Sequence, residues 1–297
     1  MPHQGEIAAL GTALCWTVSA LSFEAAGRRV GSLQVNIIRL LLAFLFLACF
    51  MSVSRGVPLP LDAGSHEWLW LGLSGLVGFV GGDLCLFKAF TIVGARVSML
   101  VMTLAPPLSA LGGWLLFDER LGTTGTIGMA LTLCGIVLVV TTRAPEGEGF
   151  SLAHSPAGLL YALGGAAGQA GGLVLSKYGM GAYDAFAATH IRIIAGVAGF
   201  ALIFIVTGKW RTLPAAARDG AALGFTALGA FFGPFLGVSL SLFAVQHAST
   251  GIAATIMALV PVFIIAPSVA IFGERVTVKE TVGALIAVAG TAVMFLS

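Results

Sequence analysis

The sequence predicts an all-α integral membrane protein in which ten transmembrane helices form two inverted five-helix repeats. Three observations predict this fold: charge is scarce, apolar runs near 20 residues recur along the chain, and the second half repeats the first. Of the 297 residues, 58% are apolar and only 9% are charged, whereas a soluble domain has about 25% charged residues. A soluble fold is therefore excluded.

Ten apolar runs are long enough to cross a hydrocarbon core of about 30 Å. They are 6–26, 33–53, 68–90, 97–117, 123–142, 156–177, 185–206, 220–246, 250–272 and 277–296. No Lys or Arg precedes the first run, so we expect a retained span instead of a cleaved signal peptide. The runs also lack the alternation of apolar and polar residues that a β-barrel wall requires.

The internal repeat emerges when the chain is aligned with itself at an offset of 155 residues. The matched pairs are Pro106 with Pro261, Asp118-Glu119-Arg120 with Gly273-Glu274-Arg275, Gly128 with Gly283, and Gly135 with Gly290. An offset of 153 aligns Arg39 with Arg192. We therefore expect one five-helix domain at 1–145 and a second at 155–297. Because five is odd, the second domain must enter the bilayer from the opposite side.

Lysine and arginine are unevenly distributed among the predicted loops. Counted together with the adjoining run ends, the loops after runs 1, 3, 5, 7 and 9 contain ten of them, and the loops after runs 2, 4, 6 and 8 contain three. The positive-inside rule places the first set in the cytoplasm, which puts both termini on the non-cytoplasmic side of the cell membrane. The net charge of +2 is spread over these loops and gives no basic surface for nucleic acid.

Glycines four residues apart indicate where helices pack closely. They occur in three runs, as Gly78 and Gly82, as Gly164, Gly168 and Gly172, and as Gly229, Gly233 and Gly237. Lipid supplies no hydrophobic drive for helix association, so small residues favour close contact, with chance in a chain of 40 Gly as the alternative. Pro106 and Pro261 predict kinks in runs four and nine that line a cavity, or that serve packing only.

Charged residues within the runs require a partner or a task, because a charge in lipid is unfavourable. Glu24, Arg39 and Asp83 are predicted to lie near the same end of the first half. They could form an ion-pair cluster that holds helices together, or Asp83, and less favourably Glu24, could carry protons. Arg192 and His190 are placed near the opposite surface. Asp83, Arg39, Glu24 and Arg192 are the candidate coupling or gating residues.

The middle of the predicted bundle is apolar with a few hydrogen-bonding groups. The candidate substrate-binding residues at this depth are Trp16, Gln169, Met102, Thr103, Pro106, Met257 and Pro261. Such a site suits a small amphipathic or aromatic metabolite better than a strongly anionic one. The five histidines are scattered and the four cysteines lack metal-ligand spacing, so we expect no catalytic residue, metal or cofactor.

Two related segments carry a resemblance to a known family. Each half has a Pro-bearing fourth run that ends in Glu-Arg and a Gly-rich fifth run, over 105–135 and 260–290. In these features nearly the whole chain resembles the EamA-like carriers of the drug/metabolite transporter superfamily. The resemblance implies a ten-helix carrier that moves small metabolites, often outward, through a central cavity. Asp83 has Val238 as its counterpart in the second half, which leaves the coupling mechanism open.

We interpret the chain as a secondary transporter that exports amino-acid-like, amphipathic or aromatic solutes by alternating access. The expected partners are a small-molecule substrate, the lipid bilayer and, for coupling, protons; the expected assembly is a monomer. The alternatives are a membrane-embedded lipid-modifying enzyme, which would release an altered product, and a passive channel, whose flux would not saturate. The Gly-rich stretches lack a following Lys-Ser or Lys-Thr, which disfavours a phosphate loop.

Overall fold

The computed structural model describes residues 3–109, 111, 122–140, 155–247, 256–273 and 276–295, and every regular element in these ranges is a helix. Six helical segments are long and apolar enough to cross a membrane. They are Gln4–Val30, Ser32–Arg55, Ser65–Ser109, Pro156–Met180, Ala185–Thr207 and Gly220–His247. Two shorter apolar helices, Thr123–Leu138 and Val260–Phe272, accompany them. Because the predicted runs 97–117 and 250–272 extend outside the described residues, the count of ten stays a prediction.

A single glycine joins the first two helices. Helix α1 (Gln4–Val30) ends and α2 (Ser32–Arg55) begins at Gly31, whose φ of 90° suits glycine and few other residues. The last residue of α2 is followed by Gly56, which also has a positive φ of 74°. Both ends of α2 are thus set by residues that can leave the helical conformation without a steric penalty.

The segment Ser65–Ser109 contains two predicted runs and a break between them. Helix α3 (Ser65–Gly75) continues through a π-helical stretch, Leu76–Gly82, into α4 (Asp83–Val101). A straight helix of 45 residues would be about 68 Å long, twice the thickness of the hydrocarbon core. Gly94, with φ 81° and ψ 164°, interrupts α4. This break falls in the predicted loop between the third and fourth runs.

The remaining helices follow the same pattern of long apolar elements and short connections. They are α5 (Thr123–Val140), α6 (Pro156–Met180), α7 (Ala185–Thr207), α8 (Leu213–Arg218), α9 (Gly220–Ala230), a second π-helical stretch (Phe231–Gly237), α10 (Val238–His247), α11 (Val260–Phe263), α12 (Ile265–Phe272) and α13 (Val278–Phe295). Asp184 and Asp219 cap α7 and α9, accepting hydrogen bonds from the backbone N–H of Ala187 at 2.8 Å and of Ala222 at 2.9 Å.

The two π-helical stretches occupy equivalent positions in the two halves. Leu76–Gly82 and Phe231–Gly237 are separated by the offset of 155 residues that aligns the repeat. Each stretch also places two of the predicted packing glycines on its surface, Gly78 with Gly82 and Gly233 with Gly237. π-Helical turns are rare in proteins, and those that occur are often found at functional sites. Their recurrence at one repeat position therefore marks a shared structural feature of both halves.

The first π-helical stretch packs closely against α6 through glycines of both segments. A Cβ added at Gly82 would lie 3.2 Å from Cα of Gly168, and one added at Gly172 would lie 3.0 Å from Cα of Gly78. Next to this contact the hydroxyl of Ser74 donates a hydrogen bond of 2.6 Å to the carbonyl of Gly172. The backbones approach this closely because neither side carries a side chain.

The second π-helical stretch packs against α1, where its glycines leave room for side chains of α1. A Cβ added at Gly237 would lie 2.8 Å from Cδ1 of Trp16, and one added at Gly233 would lie 3.3 Å from Cε2 of Phe23. Helix α1 is the first helix of the first half and α6 is the first helix of the second half. Each π-helical stretch therefore contacts the first helix of the other half.

Helices α5 and α13 pack on each other in an antiparallel, reciprocal way. A Cβ at Gly135 would lie 2.6 Å from the carbonyl oxygen of Gly283, and a Cβ at Gly290 would lie 2.7 Å from that of Gly128. As the residue number rises along α5, the number of its partner falls along α13, so the helices run in opposite directions. The two contacts exchange repeat-equivalent residues, as in an interface around a two-fold axis.

Candidate functional site

The centre of the charged site is an ion pair between α2 and α4. Asp83 follows directly after the first π-helical stretch, and its Oδ2 accepts a hydrogen bond from Nη2 of Arg39. The side chains are 5% and 3% exposed. The structure thus brings together two of the predicted coupling or gating residues, and the close contact of unlike charges offsets part of their desolvation.

Two amide side chains complete the bonding of this pair. Nε2 of Gln169 donates a 2.7 Å hydrogen bond to Oδ1 of Asp83, so both carboxylate oxygens are occupied. Asn36 accepts a 3.0 Å hydrogen bond from Nε of Arg39 and donates one of 3.3 Å to the backbone carbonyl of Asp83. The network connects α2, α4 and α6. Gln169 was predicted to bind substrate, and here its amide orients Asp83.

Aromatic rings surround the Arg39 guanidinium. Its Cζ lies 4.6 Å from the ring centroid of Phe87, 5.5 Å from that of Phe23 and 5.7 Å from that of Phe79. Cation–π contacts contribute about 2 kcal/mol when the cation is desolvated. The rings exclude water from the ion pair while supplying an electrostatically favourable surface for the cation.

Arg192 lies in the same region, which differs from the sequence-based prediction. Its Cζ lies 4.9 Å from the ring centroid of Phe79, and its Nη2 lies 3.3 Å from the position of a Cβ added at Gly78. Arg192 is only seven residues after the start of α7, about 10 Å along the axis. Its long side chain then reaches the π-helical stretch beside Asp83, so the placement near the opposite surface was wrong.

Glu24 belongs to a separate part of the structure. Its carboxylate forms an ion pair with Arg28 and accepts a 2.7 Å hydrogen bond from the backbone N–H of Ala95. Ala95 is the residue after Gly94, where the helix restarts and its first N–H groups lack helical partners. Glu24 therefore acts as a cap for this restart.

The other predicted substrate residues lie mainly in apolar packing. Trp16 contacts two apolar clusters; Met102 packs in the first beside Val260, and Met257 belongs to the second. Pro261 is buried and Pro106 is half-buried. The Thr103 hydroxyl donates a 2.6 Å hydrogen bond to the carbonyl of Leu100. These residues sit between α1 and the fourth and ninth runs, and only Gln169 joins the charged cluster.

Sequence reasoning missed a polar network at each end of the bundle. The Asp219 network contains a 3.1 Å ion pair of Arg29 with Asp219 and a 3.0 Å hydrogen bond from Gln34 to Thr212. The pKa of the Asp219 carboxyl is lowered, first by the backbone hydrogen bond from Ala222 and then by Arg29. The network joins the end of α1 and the start of α2 to the second half. Its partners are far apart in the sequence, so no local sequence pattern predicts the contact.

The Asp62 network lies at the other end. Arg55 forms a 2.6 Å ion pair with Asp62, and Tyr183 donates a 3.0 Å hydrogen bond to the same carboxylate. Gln246 in turn donates a 3.0 Å hydrogen bond to the carbonyl of Tyr183. The hydrogen bond from Arg55 lowers the pKa of Asp62, and burial raises the pKa of Tyr183. The network ties the end of α2 to the start of α7 and the end of α10.

Within the described residues no group of three His, Cys, Asp or Glu side chains is arranged to hold a metal ion. The predicted end residues Glu119 and Glu274 lie outside the described residues. The site in the described part of the chain is thus a buried polar network between helices of both halves, with a further network at each end.

Long apolar helices around a buried polar network define a multi-pass membrane protein. The model of the EamA-like transporter family matches the chain twice, over residues 3–141 and 156–296. The chain belongs to the EamA-like transporter family and is a membrane transporter.

Known proteins similar to this chain include small exporters. The spermidine export protein MdtI of Yersinia enterocolitica is 30% identical over 101 residues, which are 33% of this chain and 90% of that protein. The spermidine export protein MdtI of Yersinia pestis (strain Pestoides F) is also 30% identical over 101 residues, again 33% of this chain and 90% of that protein. A crystal structure of a protein that is 21% identical has a TM-score of 0.69 and covers 100% of this chain and 98% of its own. That structure shares the fold.

Proposed function

We propose that the protein is a secondary transporter of the cell membrane that exports small metabolites by alternating access between two inverted five-helix halves. The antiparallel, reciprocal packing of α5 and α13 supports the inversion, because equivalent helices of an inverted repeat must run in opposite directions. The match of one family model to two successive stretches supports the repeat.

The exchanged contact of the two π-helical stretches carries this proposal. Each stretch packs on the first helix of the other half through glycines, at positions related by the repeat offset. A contact made through glycines allows one helix to tilt on another with little steric hindrance. Two such contacts, one for each half, let the halves rock about the region of Asp83 and Trp16.

The end networks fit the same cycle. The Asp219 network and the Asp62 network each tie residues of the first half to residues of the second. In an alternating-access cycle one network opens while the other stays closed. Arg39, Asp83 and Arg192 lie between them and are proposed to couple the two ends, with Asp83 as the group that carries a proton. Glu24 is proposed to respond through the helix break at Gly94.

The cargo is proposed to be amino-acid-like, amphipathic or aromatic, with Trp16, Met102 and Met257 forming the apolar part of its site. The similar proteins from Yersinia are named for spermidine export, which supports outward transport. Spermidine is a polycation, and Asp83 in this chain is already paired with Arg39 and faces Arg192. These charges disfavour a polyamine as cargo here.

Counterflow in proteoliposomes tests the proposal. Purified protein is reconstituted with a high internal concentration of an unlabelled solute, and uptake of the labelled solute is followed for a panel of aromatic amino acids, aromatic amines and spermidine. A carrier gives a transient overshoot that saturates with solute concentration, and the solute recovered is unchanged. Non-saturating uptake without overshoot would indicate a channel, and a modified product would indicate an enzyme.

A further inference from the structure

The buried charges around Asp83 do not balance. Asp83 is the acidic member, and Arg39 and Arg192 are the basic members; counting backbone and side chain together, each residue is at most 4% exposed. Oδ2 of Asp83 accepts from Arg39, and its Oδ1 accepts from Gln169. Both carboxylate oxygens are therefore committed, and the charge of the first arginine already neutralises Asp83. The second guanidinium leaves an excess of one positive charge in this cluster.

Arg192 also has unused hydrogen-bonding capacity. Its Nε is buried and has no hydrogen-bond partner in the described part of the chain. Arginine carries five N–H donors in a rigid planar fork and stays charged in proteins. Phe79 covers a face of the guanidinium at 4.9 Å, but an aromatic ring accepts no in-plane hydrogen bond from the fork. The side chain thus presents a desolvated charge together with a donor that lacks an acceptor.

Arg192 lies at the contact between the two halves. Its Nη2 lies beside Gly78 of the first π-helical stretch, where the missing side chain leaves room for the guanidinium. Gly78 and its partner Gly172 belong to the contact on which the halves are proposed to rock. Gln169, next to them, is thirteen residues into the 25-residue helix α6, close to its middle. The guanidinium therefore stands near mid-depth, at the interface of the halves.

We infer that Arg192 binds an anionic group, either the carboxylate of the transported solute or a free inorganic anion such as chloride. The inference rests on the proposed carrier function only for the identity of the solute. A carboxylate accepts two parallel hydrogen bonds from the guanidinium fork, satisfies Nε and neutralises the excess charge. The site selects against a polycation and departs from the sequence-based expectation that anionic solutes fit poorly.

Thermal unfolding of the purified full-length protein in detergent tests the site without requiring transport. The probes are acetate, 3-phenylpropionate, 3-phenylpropionamide and chloride, each titrated in a zwitterionic buffer that contains no other added inorganic anion or carboxylate. A ligand that binds only the folded protein raises the apparent Tm. We expect a saturable rise with at least one carboxylate or with chloride, and none with the uncharged amide.

Variants then assign the rise to Arg192. Arg192→Gln should weaken the response at least about tenfold, because charge and fork are both lost. Arg192→Lys, which keeps the charge, should retain part of the response, and it replaces the Gln variant if that protein does not fold. Arg211→Gln removes an exposed arginine outside the cluster and should respond like the wild type.

The outcomes separate the two sources of the anion and the two proposals. Response to carboxylates identifies the solute carboxylate, and response to chloride alone identifies a free inorganic anion. An equal response to amide and carboxylate, no saturable response to any anion, or an undiminished response in Arg192→Gln overturns the anion site. If the anion site is overturned while counterflow persists, the carrier proposal survives. If the protein binds anions but shows no counterflow, the anion site survives and the carrier proposal fails.

Discussion

The pair of Asp83 and Arg39 joins α2 to α4 and is also proposed to take part in transport. Both side chains are nearly fully buried and each has its hydrogen bonds supplied by Asn36 or Gln169. Removing one member of a buried pair leaves an uncompensated charge, which costs about 3–5 kcal/mol. A residue with this role must be tested by experiments that separate stability from coupling.

Replacing Asp83 with Asn should therefore have two effects. We expect a lower apparent Tm, because Arg39 loses its charged partner, and loss of solute flux driven by a pH gradient, because no carboxylate remains to carry the proton. Counterflow, which needs no proton movement, should stay measurable in the folded fraction. Undiminished gradient-driven flux in Asp83→Asn would reject the proton-carrying role.

A double-mutant cycle measures the structural part of the same pair. Arg39→Gln alone should destabilise the protein by a similar amount, whereas the combination with Asp83→Asn should cost less than the sum of the single changes, because no lone charge stays buried. The measurement is the free energy of unfolding in detergent, compared with an Arg211→Gln control. Strict additivity would show that the two residues do not stabilise each other.

At the scale of helices, the glycine contacts explain how the elements fit together. Gly168 faces the backbone of Gly82: a Cβ added at Gly168 would clash with Cα of Gly82 and would lie 2.6 Å from its N and 3.2 Å from the carbonyl oxygen of Val77. Gly72, on α3, has nothing within 4 Å of an added Cβ. The two positions differ only in what lies opposite them, which makes them a matched pair for mutation.

Gly168→Ala should lower the free energy of unfolding by about 1–3 kcal/mol, because the α6 backbone must move away from the first π-helical stretch. Gly72→Ala should be neutral or stabilising by up to about 1 kcal/mol, since alanine favours the helix and meets no neighbour. Thermal unfolding and counterflow are measured for both. Equal effects of the two substitutions would show that the close helix contact contributes nothing.

At the scale of the whole molecule, the two end networks limit how the halves can move. The pKa values of Asp62 and Asp219 are both lowered, so these carboxylates stay charged above their ordinary pKa of about 3.9. The stability that each contributes is present above that value and is lost only as the pH falls through the lowered folded-state pKa. Protonation of Asp62 or Asp219 is therefore not what opens these networks near neutral pH.

Cross-linking tests the proposed alternation of the ends. In a background without the native cysteines, Cys pairs replace Arg29 and Asp219 at one end, or Asp62 and Tyr183 at the other, and a reducible bifunctional thiol reagent joins each pair. Because alternating access requires both ends to open in turn, either cross-link should abolish counterflow, and reduction should restore it. Full counterflow with either pair joined would contradict the mechanism.

Labelling single cysteines tests the proposed orientation. A membrane-impermeant thiol reagent added to whole cells should modify Cys at position 62, in the loop after α2, and should reach Cys at position 219 only after lysis. This follows from the excess of basic residues in the loops after the odd-numbered runs, which predicts that both termini are non-cytoplasmic. The reverse labelling pattern would invert the orientation, and labelling of both from outside would refute the inverted halves.

The sequence by itself determined that this protein lies in a membrane, where most of its helices begin and end, and that its two halves are repeats. Hydropathy and residue spacing are properties of the linear sequence, so these features can be predicted without the tertiary structure. The helix break at Gly94 lies in the loop predicted between the third and fourth runs. The family model matches each half of the chain once, as the predicted repeat requires. Only the tertiary structure decided that Arg192 reaches Phe79 and that the end networks form. Those contacts depend on how each helix is rotated and which glycines let it approach a neighbour, and local patterns do not specify either.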